Sequence, residues 1–384
     1  MYPTFDFNTT AEEVATAFAE QIKGKNVLIT GTSLNSLGFE TARVVAKYAN
    51  LVIITGYNTE RLKLARAELQ KEGPHAEIRP LVIDLASLKD VRRAAAEVNA
   101  YAEPIHVLVN NAAAAVGDFK LSPEGYENQL ATDHLGPFLF TALIAPKLLA
   151  ARTETFTPRV IFVSSLAHLF GGVSLETWGK PDPASYDSMA AYAQAKTANI
   201  LTAAELSRRA KGALKSYSLH PGIIFTNINQ KEESAEKQKE LGILLPDGSP
   251  NLEKYQWKSI PEGSATTVAA AFDPRLEDSP GAFLDDSKVA NDKRSPQAAD
   301  SALAARLWEI TEELVGTPPF TSFGIFCLVG STGRLSAAQA EAEDREPEHE
   351  APQLGSIFRE ACECDWCKTE LVLAIAPAEI PLRL

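Results

Sequence analysis

No cysteine occurs before residue 327 of this 384-residue chain, and only four occur in all. A body of that length without thiols has no disulfide framework and no cysteine-based metal site. It suits a reducing compartment, and the expectation is cytoplasmic. Net basic charge is missing as well. The chain has 37 Lys and Arg against 50 Asp and Glu, a formal charge of −13. That argues against nucleic acid or an anionic membrane surface as the main partner. The N-terminus, MYPTFDFNTTAEEVATAF, has neither a basic region nor a long apolar run, so it does not read as a secretory signal. The longest apolar stretches fall far short of a membrane span, and no transmembrane segment is expected.

What is present is a regular alternation. Thr10 and Glu13 form a T-x-x-E signature ahead of an amphipathic segment, 11–23. Short β-like runs follow at 26–30, 51–55, 78–83, 105–109, 159–164 and 215–219, with a last short one at 282–284. Most are almost entirely apolar, as strands buried on both faces should be. Helical patterns lie between them, near 38–49, 59–72, 87–101, 123–150 and 189–211. The pattern predicts an α/β fold, a Rossmann-type doubly wound parallel sheet of about seven strands with helices on both faces. Residues 227–262 break the rhythm, charged first and then apolar and turn-rich. Following the sixth strand, they sit at the carboxyl edge where ligands bind, and they read either as a substrate lid or as a solvated surface loop. The helix at 301–316 closes the expected domain, 1–316; residues 317–384 read as an acidic, poorly ordered extension. Its Cys362, Cys364 and Cys367 lack the fourth ligand and the paired spacing of a zinc site, so no metal is expected.

One further absence is local. VLITGTSLNSLGFETAR, residues 27–43, joins a strand to a helix through Gly31 and Gly38, without the middle glycine of a dinucleotide-binding turn. In such a turn the first glycine allows the tight bend and the last lets the helix pack close, with its N-terminus facing the pyrophosphate. Asn35 or Ser36 could replace the middle glycine, since Asn tolerates left-handed backbone angles and Ser is small. Polar residues follow the next strands at the same edge: Asp84–Leu85, where a carboxylate could accept from an adenine amino group, and Asn110–Asn111–Ala112. The sharpest signal is Tyr192-Ala-Gln-Ala-Lys196, which places a phenol and an ammonium on one helix face. A phenol titrates near 10, and a nearby cation stabilises its anion, which suits it to acid–base work. Ser164–Ser165 ends the strand RVIFVS, where a hydroxyl could donate to a carbonyl oxygen, and Pro221–Gly222 follows the next strand.

Taken together, TGTSLNSLGFETA (30–42), DL (84–85), NNA (110–112), DHLGPFLFT (133–141), VSSLAH (163–168), YAQAKTANIL (192–201), LHPGIIFT (219–226) and PEGSATT (261–267) resemble the short-chain dehydrogenase/reductases over roughly residues 20–316. The resemblance is nearest to the retinol-dehydrogenase-like and WW-domain-oxidoreductase-like branch. It implies that Tyr192 is the general acid or base, that Ser165 hydrogen-bonds the substrate oxygen, and that Lys196 supports the phenolate and holds the nicotinamide ribose. It also implies that Thr226 contacts the carboxamide, and that Gly31, Ser33, Asp84 and Asn110 line the rest of the cofactor. Asp133 stands where the family has a proton-relay asparagine, Ala113 stands where glycine is usual, and the opening turn is one residue longer. The 27-residue gap from Ser165 to Tyr192 resembles that branch's extended loop.

The candidate catalytic set is therefore Ser165, Tyr192, Lys196 and Asp133. Candidate cofactor contacts come from the turn (Gly31, Thr32, Ser33, Asn35, Ser36, Leu37, Gly38) and from the end of the second strand (Tyr57, Asn58, Arg61). Asp84, Leu85, Asn110, Ala112, Pro221, Gly222 and Thr226 add to them, with Tyr192 and Lys196 shared. The second strand ends without the carboxylate that would favour NAD, and Thr32, Ser33, Asn58 and Arg61 could contact a 2′-phosphate. NADP(H) is preferred and NAD(H) stays open. The expected activity is hydride transfer to or from a carbonyl or alcohol carbon of an apolar small molecule. The alternative is a dinucleotide sensor or scaffold on the same fold. Family members often dimerise through long helices, and a homodimer stays open here.

Overall fold

The computed structural model describes residues 2–317, apart from Pro74 and Gln230. The acidic extension from 318 onward and its cysteine cluster lie outside the described residues. Eight strands form one sheet. In chain order they are β1 (Asn26–Ile29), β2 (Leu51–Gly56), β3 (Glu77–Val82), β4 (Val107–Asn110), β5 (Arg159–Val163) and β6 (Lys215–Leu219), then, after the two-stranded pair β7 (Ile223–Ile224) and β8 (Trp257–Lys258), β9 (Phe283–Asp285) and β10 (Lys288–Val289). The spatial order is β10-β9-β6-β5-β4-β1-β2-β3. Every pairing is parallel except β10 with β9.

The apolar runs become strands because both faces are covered. Leu28, Ile53, Leu81, Leu108, Val160 and Phe162 face a core closed by α4 (Leu88–Ala100), α5 (Gly136–Leu143), α6 (Ser188–Ala210) and α9 (Ser301–Val315). Their neighbours Val27, Ile29, Val52, Ile54, Val107, Val109 and Ile161 face a second core. That one is closed by α1 (Ala11–Ala17), α2 (Leu37–Val45), α3 (Thr59–Glu72) and α8 (Ile260–Phe272). The strand order reverses at β1, between β2 and β4, so a crevice opens at the carboxyl ends of those strands. Among the described residues no helix is long and apolar enough to cross a membrane.

Four local differences from the sequence reading have physical causes. The expected seven-strand sheet gains β10. It returns through Asp286 and Ser287, both with left-handed backbone angles (φ 48° and 60°), which a two-residue hairpin turn demands. The amphipathic segment 11–23 breaks at Phe18, followed by a separate turn Ala19–Ile22. The single helix expected over 123–150 is four pieces. Leu121 and Glu127 bridge instead, a short turn Asn128–Leu130 follows, and a π-helical turn spans Ala131–Leu135 before α5. After α5 a last turn, Ala145–Leu149, restarts with Pro146 in its first turn. Finally, α8 takes Ile260–Glu262 out of the expected lid. It is announced by a capping box, Ser259 with Glu262.

Candidate active site

The turn after β1 is built from backbone outward. Gly31 has φ +72°, and a side chain there would bring a Cβ within 2.8 Å of the Ala112 Cα. At Gly38 a Cβ would come within 2.5 Å of the Gly31 carbonyl oxygen and of Asn111 Nδ2. So both glycines are needed for close approach. The stretch between them is closed by two residues. Asn35 adopts φ 57°. Ser36 caps α2, its Oγ accepting from Phe39 N (3.1 Å) and donating to Gly31 O (3.2 Å). The α2 N-terminus, with its unpaired N–H groups and positive dipole end, therefore starts at Leu37 and faces the crevice. Thr32 is buried; its hydroxyl donates to Thr55 O at 3.1 Å and thus serves the turn's own framework.

The sequence reading missed the residues that brace this turn. Asn111 Nδ2 donates to Thr30 O (2.8 Å) and Gly31 O (3.1 Å), and Thr30 Oγ1 accepts from the N–H groups of Asn111 and Ala112. The Asn-Asn doublet was the available signal, but only its first member had been singled out. That first member, Asn110, is buried. Its Nδ2 donates to Thr141 Oγ1 at 3.0 Å, and its Oδ1 has no partner among the described residues. An orphaned buried acceptor beside this turn fits a polar ligand edge, and with the glycine cradle it makes the site fit a dinucleotide.

At the end of β2, Tyr57 is 64% exposed and Asn58 caps α3 by accepting from Arg61 N. Arg61 is exposed, and its guanidinium has no ion-pair partner among the described residues. At the end of β3, Asp84 is exposed and accepts from Ala86 N, while Leu85 is buried.

The four catalytic candidates come from three elements. The π-helical turn carries Asp133 inward, and such one-residue expansions often mark functional positions. Asp133 Oδ2 lies 2.9 Å from Lys196 Nζ, with side chains only 0% and 3% exposed. Asp133 Oδ1 accepts from Ala114 N at 2.6 Å. Burial pushes the Asp133 carboxyl up from the usual range, opposed by Lys196 and that N–H. Burial pulls Lys196 down, but the Asp133 carboxylate and the Tyr192 phenol together outweigh it and the lysine ends raised. We read the pair as ionised, because a 2.9 Å ion-pair contact at Oδ2 favours both charged forms and the Ala114 N–H bond at Oδ1 favours the carboxylate. Lys196 Nζ also lies 3.4 Å from Val163 O and 5.3 Å from the Tyr192 ring centre.

The two serines after β5 separate cleanly. Ser164 is buried and donates to Lys196 O at 2.7 Å, holding α6 to the sheet. Ser165 is half-buried, and its Oγ accepts from Ala167 N at 3.2 Å. That contact fixes the oxygen and leaves the hydroxyl proton free to donate. Beyond β6, Gly222 takes φ +99° where a side chain would meet Lys258. Thr226 Oγ1 donates to Asn229 Oδ1 at 3.2 Å, so that hydroxyl is engaged within its own loop.

The region expected as a lid holds α7 (Glu232–Glu240) and is tied down at both ends. Asn227 Nδ2 donates to Leu34 O of the glycine turn at 2.6 Å, and Glu233 pairs with Lys120 at 2.8 Å. Trp257 pairs in register with Ile223 and donates to Asn251 O, so it anchors the region to the body. Leu244 is buried, whereas Leu245 is 40% exposed. No cluster of three or more His, Cys, Asp or Glu that could hold a metal occurs among the described residues.

Comparison with known proteins places these features. A family model described as short chain dehydrogenase matches residues 25–237. The chain is 33% identical over 318 residues to short-chain dehydrogenase TIC 32 A, chloroplastic, of Brassica napus, covering 81% of this chain and 94% of that protein. It is 34% identical over 327 residues to the WW domain-containing oxidoreductase of Danio rerio, covering 82% and 74%. Among solved structures, an uncharacterised protein from Mycobacterium paratuberculosis superposes with a TM-score of 0.58 at 27% identity, covering 78% of this chain and 97% of that one.

Proposed function

The chain belongs to the short-chain dehydrogenase family and is an NAD(P)-dependent oxidoreductase acting on CH–OH or C=O groups; from that premise we propose which residues carry the reaction and what it acts on. The carrying observation is the buried Lys196, held by Asp133 at 2.9 Å under the ring of Tyr192. Tyr192 donates its proton to the substrate carbonyl oxygen in reduction and takes it back in oxidation. Ser165, its oxygen pinned by Ala167 N, donates a hydrogen bond to the same oxygen as negative charge develops there. Lys196 supplies the positive field that favours the phenolate and reaches the nicotinamide ribose. Asp133 fixes the lysine and neutralises it at rest. The bound dinucleotide supplies or accepts the hydride.

The glycine turn and the α2 N-terminus hold the pyrophosphate, with Asn110 and Asp84 along the rest of the cofactor and Thr226 near the carboxamide. NADP(H) is favoured over NAD(H), because no carboxylate ends β2 to repel a 2′-phosphate and the exposed Arg61, without an ion-pair partner among the described residues, stands beside that strand end. The unit 1–316 is the catalytic domain. Residues 227–259, the expected lid without the three that belong to α8, cover the substrate, whose apolar character is supported by the exposed Leu245 and Leu252. The compartment is the cytoplasm, which cell fractionation tests.

Tyr192→Phe tests the assignment. Turnover should fall by at least about a thousand-fold with NADPH affinity kept within a few-fold. Full activity in that variant refutes it. One observation favours the rival reading as a dinucleotide sensor: the Asp133 carboxylate neutralises the lysine that the phenol needs. Tight NADPH binding with no turnover across a broad carbonyl screen would decide for the sensor.

A further inference from the structure

The Ser165–Leu166 peptide is gripped at both of its polar groups by histidine rings from different parts of the chain. Its carbonyl faces His168 Nδ1 at 2.6 Å. Its N–H donates to His220 Nδ1 at 3.1 Å. A carbonyl only accepts and an amide N–H only donates, so these partners dictate the two tautomers. His168 carries its proton on Nδ1, and His220 has a bare Nδ1 and a proton on Nε2. Both rings are nearly sealed, at 1% and 8% exposure. Burial pushes His220 down to about 4, opposed by Asp285, so the ring stays an acceptor across the neutral range.

We propose that His168 and His220 are positioning residues for the reaction, clamping the peptide that carries Ser165 so that its hydroxyl points at the substrate oxygen. Each half of the clamp is itself supported. His168 stacks edge-on to Phe283 at 5.2 Å between ring centres. Its Nε2 also faces a carbonyl, Lys293 O, but at 3.3 Å against 2.6 Å at Nδ1, so a ring with one proton carries it on Nδ1 and leaves the longer contact without a hydrogen bond. His220 follows β6 directly, and its own N–H is held by Leu284 O at 3.0 Å. The serine oxygen depends on this arrangement, because its partner Ala167 N belongs to the same tight turn, closed by His168 N on Ser165 O. If the peptide plane rotates, the turn opens and the hydroxyl moves with it. Displacements of about 1 Å at such a donor cost on the order of a hundred-fold in rate.

The clamp rests on the role given above to Ser165, and the test separates the two. Each histidine is replaced by Leu, which removes the ring nitrogen, and by Asn, whose side chain can supply an acceptor or a donor near the Nδ1 position. Both rings border a cavity of about 230 Å³ shared with Leu166, Leu169 and Phe283, so a leucine meets open space. His168→Leu and His220→Leu should each lower kcat by at least about ten-fold, as expected for one orphaned peptide group, with NADPH affinity and KM little changed. The Asn variants should recover to within about three-fold of wild type. Leucine variants with full kcat overturn the clamp. So do Asn variants as slow as the leucine ones, or loss of cofactor binding alongside turnover, since either result makes the rings merely structural. A readout independent of turnover is the nitrogen-15 spectrum of the histidines in the NADPH-bound full chain. It should show His220 protonated on Nε2 and His168 on Nδ1, and the opposite tautomers overturn the clamp even if the enzyme works as proposed. An inactive wild-type chain with the expected tautomers counts against the reaction assigned above and leaves the grip on the peptide standing.

Discussion

Replacing Asp133 by Asn isolates the charge from the shape. The amide keeps the side-chain size and can still accept from Ala114 N, so the π-helical turn should survive. What disappears is the negative charge 2.9 Å from an ammonium that is 3% exposed. Removing one member of a buried pair costs roughly 3–5 kcal/mol, because the remaining charge stays desolvated. The surviving hydrogen-bonding capacity puts this variant at the low end, near 3 kcal/mol. For a domain of about 316 residues, at about 2.1 cal/mol/K of unfolding entropy per residue, that is a fall in Tm of roughly 4–5 °C.

The pH dependence follows from Lys196. In the wild type its folded pKa is raised, so the pair's stabilisation is fully present below the unfolded lysine value, about 10.4, and is lost as pH rises through the still higher folded value. In the variant the lysine is buried without a counter-charge, and its penalty fades as pH rises toward that same unfolded value. The gap between wild type and variant should therefore be wide at pH 7 and narrow above about pH 10. Urea unfolding at both pH values, with Lys196→Met and the double variant completing a mutant cycle, measures it. An interaction energy below about 1 kcal/mol, or a gap that does not change with pH, refutes the ionised pair.

Two further outcomes follow from the cofactor end. Asn35→Val forces a β-branched residue to φ 57°; we expect a loss of about 1–3 kcal/mol in urea unfolding and weaker NADPH binding by fluorescence titration, whereas unchanged affinity would mean that the extra residue loops clear of the pyrophosphate. Arg61→Ala should weaken NADPH about ten-fold and leave NADH unaffected, the size expected for one exposed charged hydrogen bond to phosphate, and an equal effect on both cofactors would remove Arg61 from the 2′ position.

The sheet was legible because its strands are buried on both faces and read as continuous apolar runs, and because Gly31 and Gly38 bracket the first turn. Tyr192, Lys196 and Ser165 were legible as types at a spacing. What a linear reading could not supply was partnership across the fold. Asp133 registered as an odd residue in a familiar place, yet its ion pair with Lys196 spans 63 positions of chain and depends on a π-helical turn that leaves no periodic signature. Asn111 looked like a repeat of Asn110, although it is the one that braces the glycine turn. Helix α8 was hidden for another reason. It is so small-residue-rich, SATTVAAAF, that no polar face marks its period, and its one local mark is the capping box of Ser259 with Glu262, which the sequence reading did not use. Strand β10 is two residues, Lys288 and Val289, in a polar stretch, too short for any alternation to register.

The π-helical turn has a consequence for how this chain tolerates change in length. A π-helical turn holds one residue more than the α-helix it interrupts, and the helix on either side keeps its phase by bulging around the surplus. The surplus is thus invisible to Phe138 and Leu139, which pack in the core in the phase they would have without it. Asp133 is the residue that stands on the bulge. Losing one position between Ala131 and Leu135 would straighten the helix, leave the hydrophobic interior in register and withdraw the carboxylate from Lys196. Over these five residues the molecule keeps architecture and chemistry on separate accounts of length, so the same indel is silent to one and decisive for the other.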